Sequence, residues 1–247
     1  MPANKRINIV ITMGGLGSRF RKMGFEMPKY MIRAKGKTLF EWSMESLDGY
    51  AADAGQYIFI ARKDDKEDVE GFIRKKCRKL GLNNFHIILI DYLTAGQAAT
   101  AMLAGEYWDK EYPLLIYNID TYVEAGEMNS TQLKGDGFIP CFRAEGDHWS
   151  FVRLDETGRA LEIREKCRIS DYCTVGAYYF KTCGLYEELY QKFYHGKAAL
   201  SGVEEYVAPL YNALLERGGE VYISDISRKK VHVLGTPEEL KVFLQEE

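Results

Sequence analysis

The sequence predicts an α/β fold built on a mostly parallel, mixed central sheet. Three observations carry this. Short β-branched runs alternate with helical patterns through the first half, a glycine cluster cuts the chain directly after the first run, and turn-rich hairpin segments replace the alternation after Asn118.

The first run, Ile7, Ile9, Val10 and Ile11, suits a strand buried on both faces. Gly14-Gly15-Leu16-Gly17 ends it. Leu39, Phe40, Ser43, Met44 and Leu47 then share one helical face. Residues 57–61 read as the second strand. Val69, Phe72, Ile73 and Leu80 mark a helix whose Lys/Arg-rich opposite face reads as solvated. Residues 86–90 form the third strand, 97–105 a small-residue helix and 113–117 the fourth strand. Helical spacers of this length between strands imply right-handed crossovers and parallel pairing. Residues 138–142, 150–154, 160–164 and 174–180 then read as strands that extend the sheet. Leu185, Leu189 and Phe193 mark one helix; Val203, Tyr206, Val207, Leu210, Leu214 and Leu215 mark another. Ser201 and Glu204 have capping-box spacing for the latter, and Pro209 predicts a kink or a late start. Residues 221–223 and 231–234 are the closing strands, and Pro237 opens a last helix. No repeat, low-complexity tract or linker divides the chain, so one domain over residues 1–247 is expected.

Composition excludes several classes of function. The 33 Lys and Arg against 36 Asp and Glu leave a net charge of −3, with no basic surplus for a phosphate backbone, so no nucleic-acid partner is expected. No apolar run approaches the ~18 residues of a membrane span, and the first residues lack a signal peptide's long apolar stretch. Cys77, Cys141, Cys167, Cys173 and Cys183 form no CxxC pair, and the four histidines lack zinc-like spacing. Free thiols in a reducing cytoplasm are the expectation.

In an open α/β sheet the ligand site lies beyond the carboxyl ends of the strands, so those ends are where chemistry is sought. Met13-Gly14-Gly15-Leu16-Gly17-Ser18-Arg19 can turn successive backbone N–H groups into one anion-binding concavity, with Arg19 and Lys29 adding positive charge. A structural turn is the plain alternative. The dinucleotide fingerprint fails because Phe20 stands where its third glycine belongs, and no G-K-[ST] P-loop follows. Asn118-Ile119-Asp120 ends the fourth strand and can present one carboxylate to Mg²⁺ beside a triphosphate; a lone Asp there is otherwise a turn former. Glu165-Lys166 reads either as an exposed ion pair or as a contact to sugar and phosphate.

Taken in order, these residues resemble the sugar-1-phosphate nucleotidyltransferase superfamily, pyrophosphorylases of the GT-A-like NTP transferase fold. The landmarks are Gly15-Leu16-Gly17-Ser18-Arg19 with Pro28-Lys29 and Gly36-Lys37-Thr38-Leu39, then Asp91 through Ala98, then Asp120, then Glu165-Lys166 with Gly176 through Phe180, and last Gly235-Thr236-Pro237-Glu238-Glu239-Leu240. The resemblance spans nearly the whole chain. It implies a three-layer α/β/α, Rossmann-like fold and Mg²⁺-dependent transfer of a nucleotidyl group from an NTP to a phosphorylated small-molecule acceptor. Met13, Gly14, Gly15, Gly17, Ser18, Asp91, Gly96 and Gln97 would bind the nucleotide. Arg19, Lys29 and Lys166 would act on the phosphates. Asn118, Glu165, Lys166 and Gly176 would hold the acceptor, a sugar phosphate or a small phosphorylated alcohol, and Asp120 the metal. No membrane or nucleic-acid partner is implied, there is room for a homo-oligomer, and surface-polysaccharide building is the associated role.

Two departures stand out. Many members carry a second metal aspartate two residues before the closing glycine, where this chain has Val233; either one carboxylate suffices, or Asp225 substitutes, or metal binding is weaker. Uridylyl- and thymidylyl-transferring relatives often place Gln in the base segment, whereas this chain has Asp91. A carboxylate only accepts hydrogen bonds, which suits cytosine's amine or guanine's N–H edge and favours CTP or GTP. Trp149 and Tyr122 are candidates for the acceptor pocket's border. Two other readings compete. A GT-A glycosyltransferase has no need of the G-x-G-[ST]-R…P-K loop. An inactive nucleotide-binding scaffold has no reason to keep Arg19, Lys29, Asp120 and Lys166.

Overall fold

A computed structural model describes residues 6–64, 66–195 and 204–246. Its first half runs β1 (Ile7–Met13), α1 (Ser18–Lys22), a small hairpin of β2 (Arg33–Ala34) and β3 (Lys37–Thr38), α2 (Leu39–Glu45), β4 (Ala54–Arg62), α3 (Val69–Lys79), β5 (Phe85–Ile90), α4 (Gln97–Met102) and β6 (Leu114–Asn118). The second half adds β7 (Thr121–Val123), β8 (Gly137–Arg143), β9 (Ser150–Leu154), β10 (Ala160–Glu165), β11 (Tyr172–Thr174) and β12 (Ala177–Phe180). It closes with α5 (Cys183–Tyr194), α6 (Leu210–Glu216), β13 (Val221–Ile226), β14 (Val231–Val233) and α7 (Pro237–Gln245).

The main sheet has the order β10-β9-β11-β8-β12-β6-β1-β4-β5, with β13 joining β8. β5, β4, β1 and β6 pair in parallel, as the alternating pattern predicts. β12 joins β6 antiparallel, so the later strands extend the sheet as a mixed one. Successive side chains of a strand point to opposite faces. Ile9 and Ile11 accordingly meet Phe40 and Ile73 of α2 and α3, while Val10 meets the layer of α4, α5 and α6 through Ala98, Tyr186 and Leu210. This is the three-layer arrangement expected. A smaller cluster seats α7 against the N-terminal segment, with Leu240 and Phe243 packed among Phe20 and Leu39.

The differences from expectation have local causes. The 174–180 run is two strands, because Gly176 takes φ +84° and breaks it. In α5 the buried face is Cys183, Tyr186, Leu189 and Tyr190, whereas Phe193 is exposed. α6 begins only at Leu210 behind Pro209, the late start, so Glu204 and Tyr206 lie outside a helix; Ser201 and Val203 fall outside the described residues. The five cysteines are free, four of them buried and Cys167 exposed.

The basic face of α3 is also not simply solvated. Lys76 and Lys79 each donate to the buried Glu41 carboxylate at 2.6 Å. Glu41 also completes a capping box at the start of α2, accepting from the Thr38 N–H at 2.8 Å while its own N–H donates to the Thr38 hydroxyl at 3.3 Å. Burial alone would raise the Glu41 carboxyl, but hydrogen bonds from Lys76, Lys79 and Thr38 outweigh it and hold it far below the ordinary 4.5. A depressed carboxyl stabilises the fold above its unfolded pKa and loses that contribution as pH falls. Glu41→Gln should therefore cost about 2–3 kcal/mol near pH 7, below the usual cost of breaking a buried pair because Lys79 can return to water. The gap to the unsubstituted chain should narrow in urea titrations taken from pH 6 down to pH 3.

Among the described residues no helix is long and apolar enough to cross a membrane.

Candidate active site

From β1 the chain steps outward through β4 and β5, then returns to the other side of β1 as β6. The sheet's switch point therefore lies between β1 and β6, where α/β proteins open a crevice at the strands' carboxyl ends. A cleft of about 540 Å³ opens there. Most of the expected residues meet in it.

On one side Met13, Gly14, Gly15 and Arg19 line the cleft. Gly17 and Ser18 do not; Gly17, at φ +62°, turns the chain into α1. Lys29 stands at the start of a short 3-10 turn, Lys29–Met31, anchored by buried Tyr30 and Met31. Its Nζ donates to Asp120 Oδ2 at 2.7 Å, so the ends of two distant segments face each other. Gln97 donates to Asn118 Oδ1 and, at 3.3 Å, to Thr12 Oγ1. Gly96 lines the cleft, and its lack of a side chain is needed behind it, since a Cβ would stand 2.4 Å from the Glu205 carbonyl. Asp91 is exposed and outside the lining, which this segment supplies from Leu93 to Gln97.

On the other side Asn118, Glu165 and Gly176 line the cleft. Gly176 combines its positive φ with close approach: a Cβ would lie 2.4 Å from the Asn118 amide nitrogen. Glu165 accepts from the Ser150 hydroxyl. Burial raises its carboxyl above the ordinary value, against the pull of Ser150 and Lys166. Lys166 is not paired with Glu165. It holds φ +52°, rare for a residue with a side chain, and its Nζ donates to the Tyr206 hydroxyl with Glu204 3.9 Å away. Lys166 itself is exposed beside the cleft, while Tyr206 and Glu204 line it. Trp149 also lines it; Tyr122 does not, and instead stacks on His232 with ring centroids 5.2 Å apart.

Asp120 is held from behind. Its carbonyl accepts from the Leu234 N–H at 2.8 Å, and β14 pairs with β7 so that Val233 lies opposite Thr121. Asp225 is elsewhere, in an ion pair with Arg143 at 2.9 Å, and is not among the cleft residues, so it cannot replace the missing aspartate. Glu239, on the first turn of α7, does line the cleft, and its Oε2 is buried without a hydrogen-bond partner among the described residues. These donors fit a hard divalent cation, being carboxylate oxygens with one left orphaned. No group of three or more His, Cys, Asp or Glu among the described residues forms a metal cage.

Sequence reasoning missed Glu239, Ser150, Glu204 and Tyr206 as cleft residues. Tyr206 was assigned to a helical stripe. Glu239 carries no usable signal, since a glutamate three residues after a capping threonine normally turns back to the cap.

A glycine-rich turn after β1 thus faces an aspartate after β6 across the switch point of the mixed sheet. No family model matches the chain. The nucleoside-diphosphate-sugar pyrophosphorylase of Vibrio cholerae RC9 superposes with a TM-score of 0.86 at 34% identity, over 96% of this chain and 100% of that one. The inositol-1-phosphate CTP transferase of T. maritima shares the fold, with a TM-score of 0.75 at 17% identity over 97% of this chain and 94% of its own. A curated relative, "Probable UDP-N-acetylglucosamine pyrophosphorylase" of Encephalitozoon cuniculi, is 38% identical over 66 residues, which are 25% of this chain and only 19% of that protein. The chain belongs to the sugar-phosphate nucleotidyltransferase superfamily, the pyrophosphorylase enzymes.

Proposed function

We propose that the protein transfers a nucleotidyl group from an NTP to a phosphorylated sugar or small alcohol, with Mg²⁺, in the cytoplasm. One observation carries this reading: Lys29 and Asp120 meet in the same cleft that the Gly14–Gly15 turn and Arg19 line. The acceptor's phosphate oxygen attacks the α-phosphorus in line. A new P–O bond forms as the bond to the β-phosphate oxygen breaks, and pyrophosphate departs with that electron pair. No covalent intermediate on the protein is required, so catalysis consists of positioning and charge neutralisation. The turn's amides and Arg19 hold the β- and γ-phosphates. Lys29 sits where negative charge grows between the α-phosphate and the incoming phosphate. Asp120 would hold Mg²⁺, which when bound offsets charge on the phosphate oxygens.

Lys166, which donates to Tyr206, would exchange that contact for the acceptor's phosphate, and Glu165, which accepts from Ser150, would take an acceptor hydroxyl. The acceptor class follows the relatives, one named for nucleoside-diphosphate sugars and another for inositol 1-phosphate. CTP or GTP is proposed as donor on Asp91 alone, which must swing in from its exposed position to meet the base.

The test is pyrophosphate release with Mg²⁺ across ATP, CTP, GTP, UTP and dTTP, each against sugar 1-phosphates and small alcohol phosphates. Release confined to CTP or GTP, with a profile altered in Asp91→Gln, is the expected result. An unchanged profile in that variant would sink the base assignment, and absence of both turnover and calorimetric NTP binding would sink the activity.

A further inference from the structure

Beside Asp120, past Gly235, stands a second carboxylate to which no expectation gave a role. Resting on the metal reading above, we infer that Glu239 is the second protein ligand of the divalent cation, filling the part that Val233 leaves vacant.

The argument begins with a half-made cap. Thr236 and Glu239 have the same spacing as Thr38 and Glu41. In α2 both halves of the box form. In α7 the Thr236 hydroxyl accepts from the Glu239 N–H at 3.1 Å, but no return bond from the carboxylate accompanies it among the described residues. Instead Oε2 is turned inward, is inaccessible to water and has no partner among those residues. A buried carboxylate oxygen is costly to leave unsatisfied, so its orientation calls for a cation.

The position of that cation is marked by Gly235. A Cβ there would stand 3.4 Å from Asp120 Oδ2 and 3.4 Å from Glu239 Oε2, so the two oxygens flank one space that glycine keeps open. Both are held by the fold, Asp120 through the Leu234 N–H and the β7–β14 pair, Glu239 through the first turn of α7. Charge points the same way. Asp120 has the Lys29 ammonium as its counterion, whereas Glu239 has no ion-pair partner among the described residues. Asp120 and Glu239 would hold a divalent cation that satisfies the orphaned oxygen, which would free Lys29 to turn toward phosphate. Oxygen donors in this number, with the rest of the shell left to water and phosphate, are what Mg²⁺ prefers.

The experiment is Mn²⁺ binding, followed by electron paramagnetic resonance and water-proton relaxation, with and without CTP. It compares the unsubstituted chain with Glu239→Gln, Glu239→Asp and Asp120→Asn. Glu239→Gln should weaken Mn²⁺ binding about tenfold or more, and Glu239→Asp less. The metal-free melting temperature of Glu239→Gln should be unchanged or higher, because the only atom replaced is one that has no hydrogen-bond partner among the described residues; this separates loss of a ligand from loss of fold. Unchanged Mn²⁺ affinity in Glu239→Gln, beside its loss in Asp120→Asn, would overturn the inference alone. No Mn²⁺ binding by the unsubstituted chain, with or without CTP, would overturn it together with the metal reading of Asp120.

Discussion

Lys29→Ala should reduce turnover by about 10²–10³-fold, the usual consequence of removing one positioned donor from developing charge. The loss should fall mainly on kcat, because in the proposed reaction the ammonium acts where charge builds, and the loop amides and Arg19 would still hold the triphosphate. The fold should survive. The Lys29–Asp120 pair is partly exposed, at 19% and 29% of the two side chains, and pairs of this kind contribute about 1 kcal/mol or less. Steady-state pyrophosphate release, read beside circular-dichroism melts, checks both halves. A wild-type kcat would show that Lys29 serves only as Asp120's counterion.

Asp120→Asn should be more severe, roughly 10³-fold or more, since it removes both the proposed metal's anchor and the anion that aims Lys29. Its signature is lost dependence on Mg²⁺ concentration, not merely a lower rate. The backbone link from Leu234 to the Asp120 carbonyl is untouched by this change, so β7 and β14 should stay paired. Because the two side chains touch, the double variant should be little worse than Asp120→Asn alone. Full additivity of the two losses would mean they act at separate places.

Much of this architecture is legible in the chain. The runs at β1 and β6, and the middle of β4, are buried on both faces, the edge strand β5 only partly, yet all four read as apolar segments, and the glycine turn follows β1 directly. The facing of Lys29 and Asp120 follows once those strands are placed side by side. What escaped is non-local. Nothing in the pattern around Gly176 shows that Asn118 will press against it, so a broken strand was read as a single one. Tyr206 was fitted to a helical period that Pro209 in fact postpones. Lys76 and Lys79 looked solvated because their partner, Glu41, lies more than thirty residues away. Glu239 was hidden by its own local logic, since the spacing that predicts a capping carboxylate is also what places it at the cleft. Asp91 shows the opposite case, a residue type suited to the chemistry on a loop that faces solvent.

The distribution of thiols gives the chain a built-in attachment point. Burial pushes Cys77, Cys141, Cys173 and Cys183 toward the unreactive protonated form, and each is shielded from solvent. Cys167 is exposed, directly after Lys166 at the cleft's edge. Alkylating reagents at neutral pH thus meet one accessible sulfur per folded chain, because nucleophilic attack needs both thiolate and access. A fluorophore or spin label can be placed beside the proposed acceptor end of the cleft without removing any native cysteine.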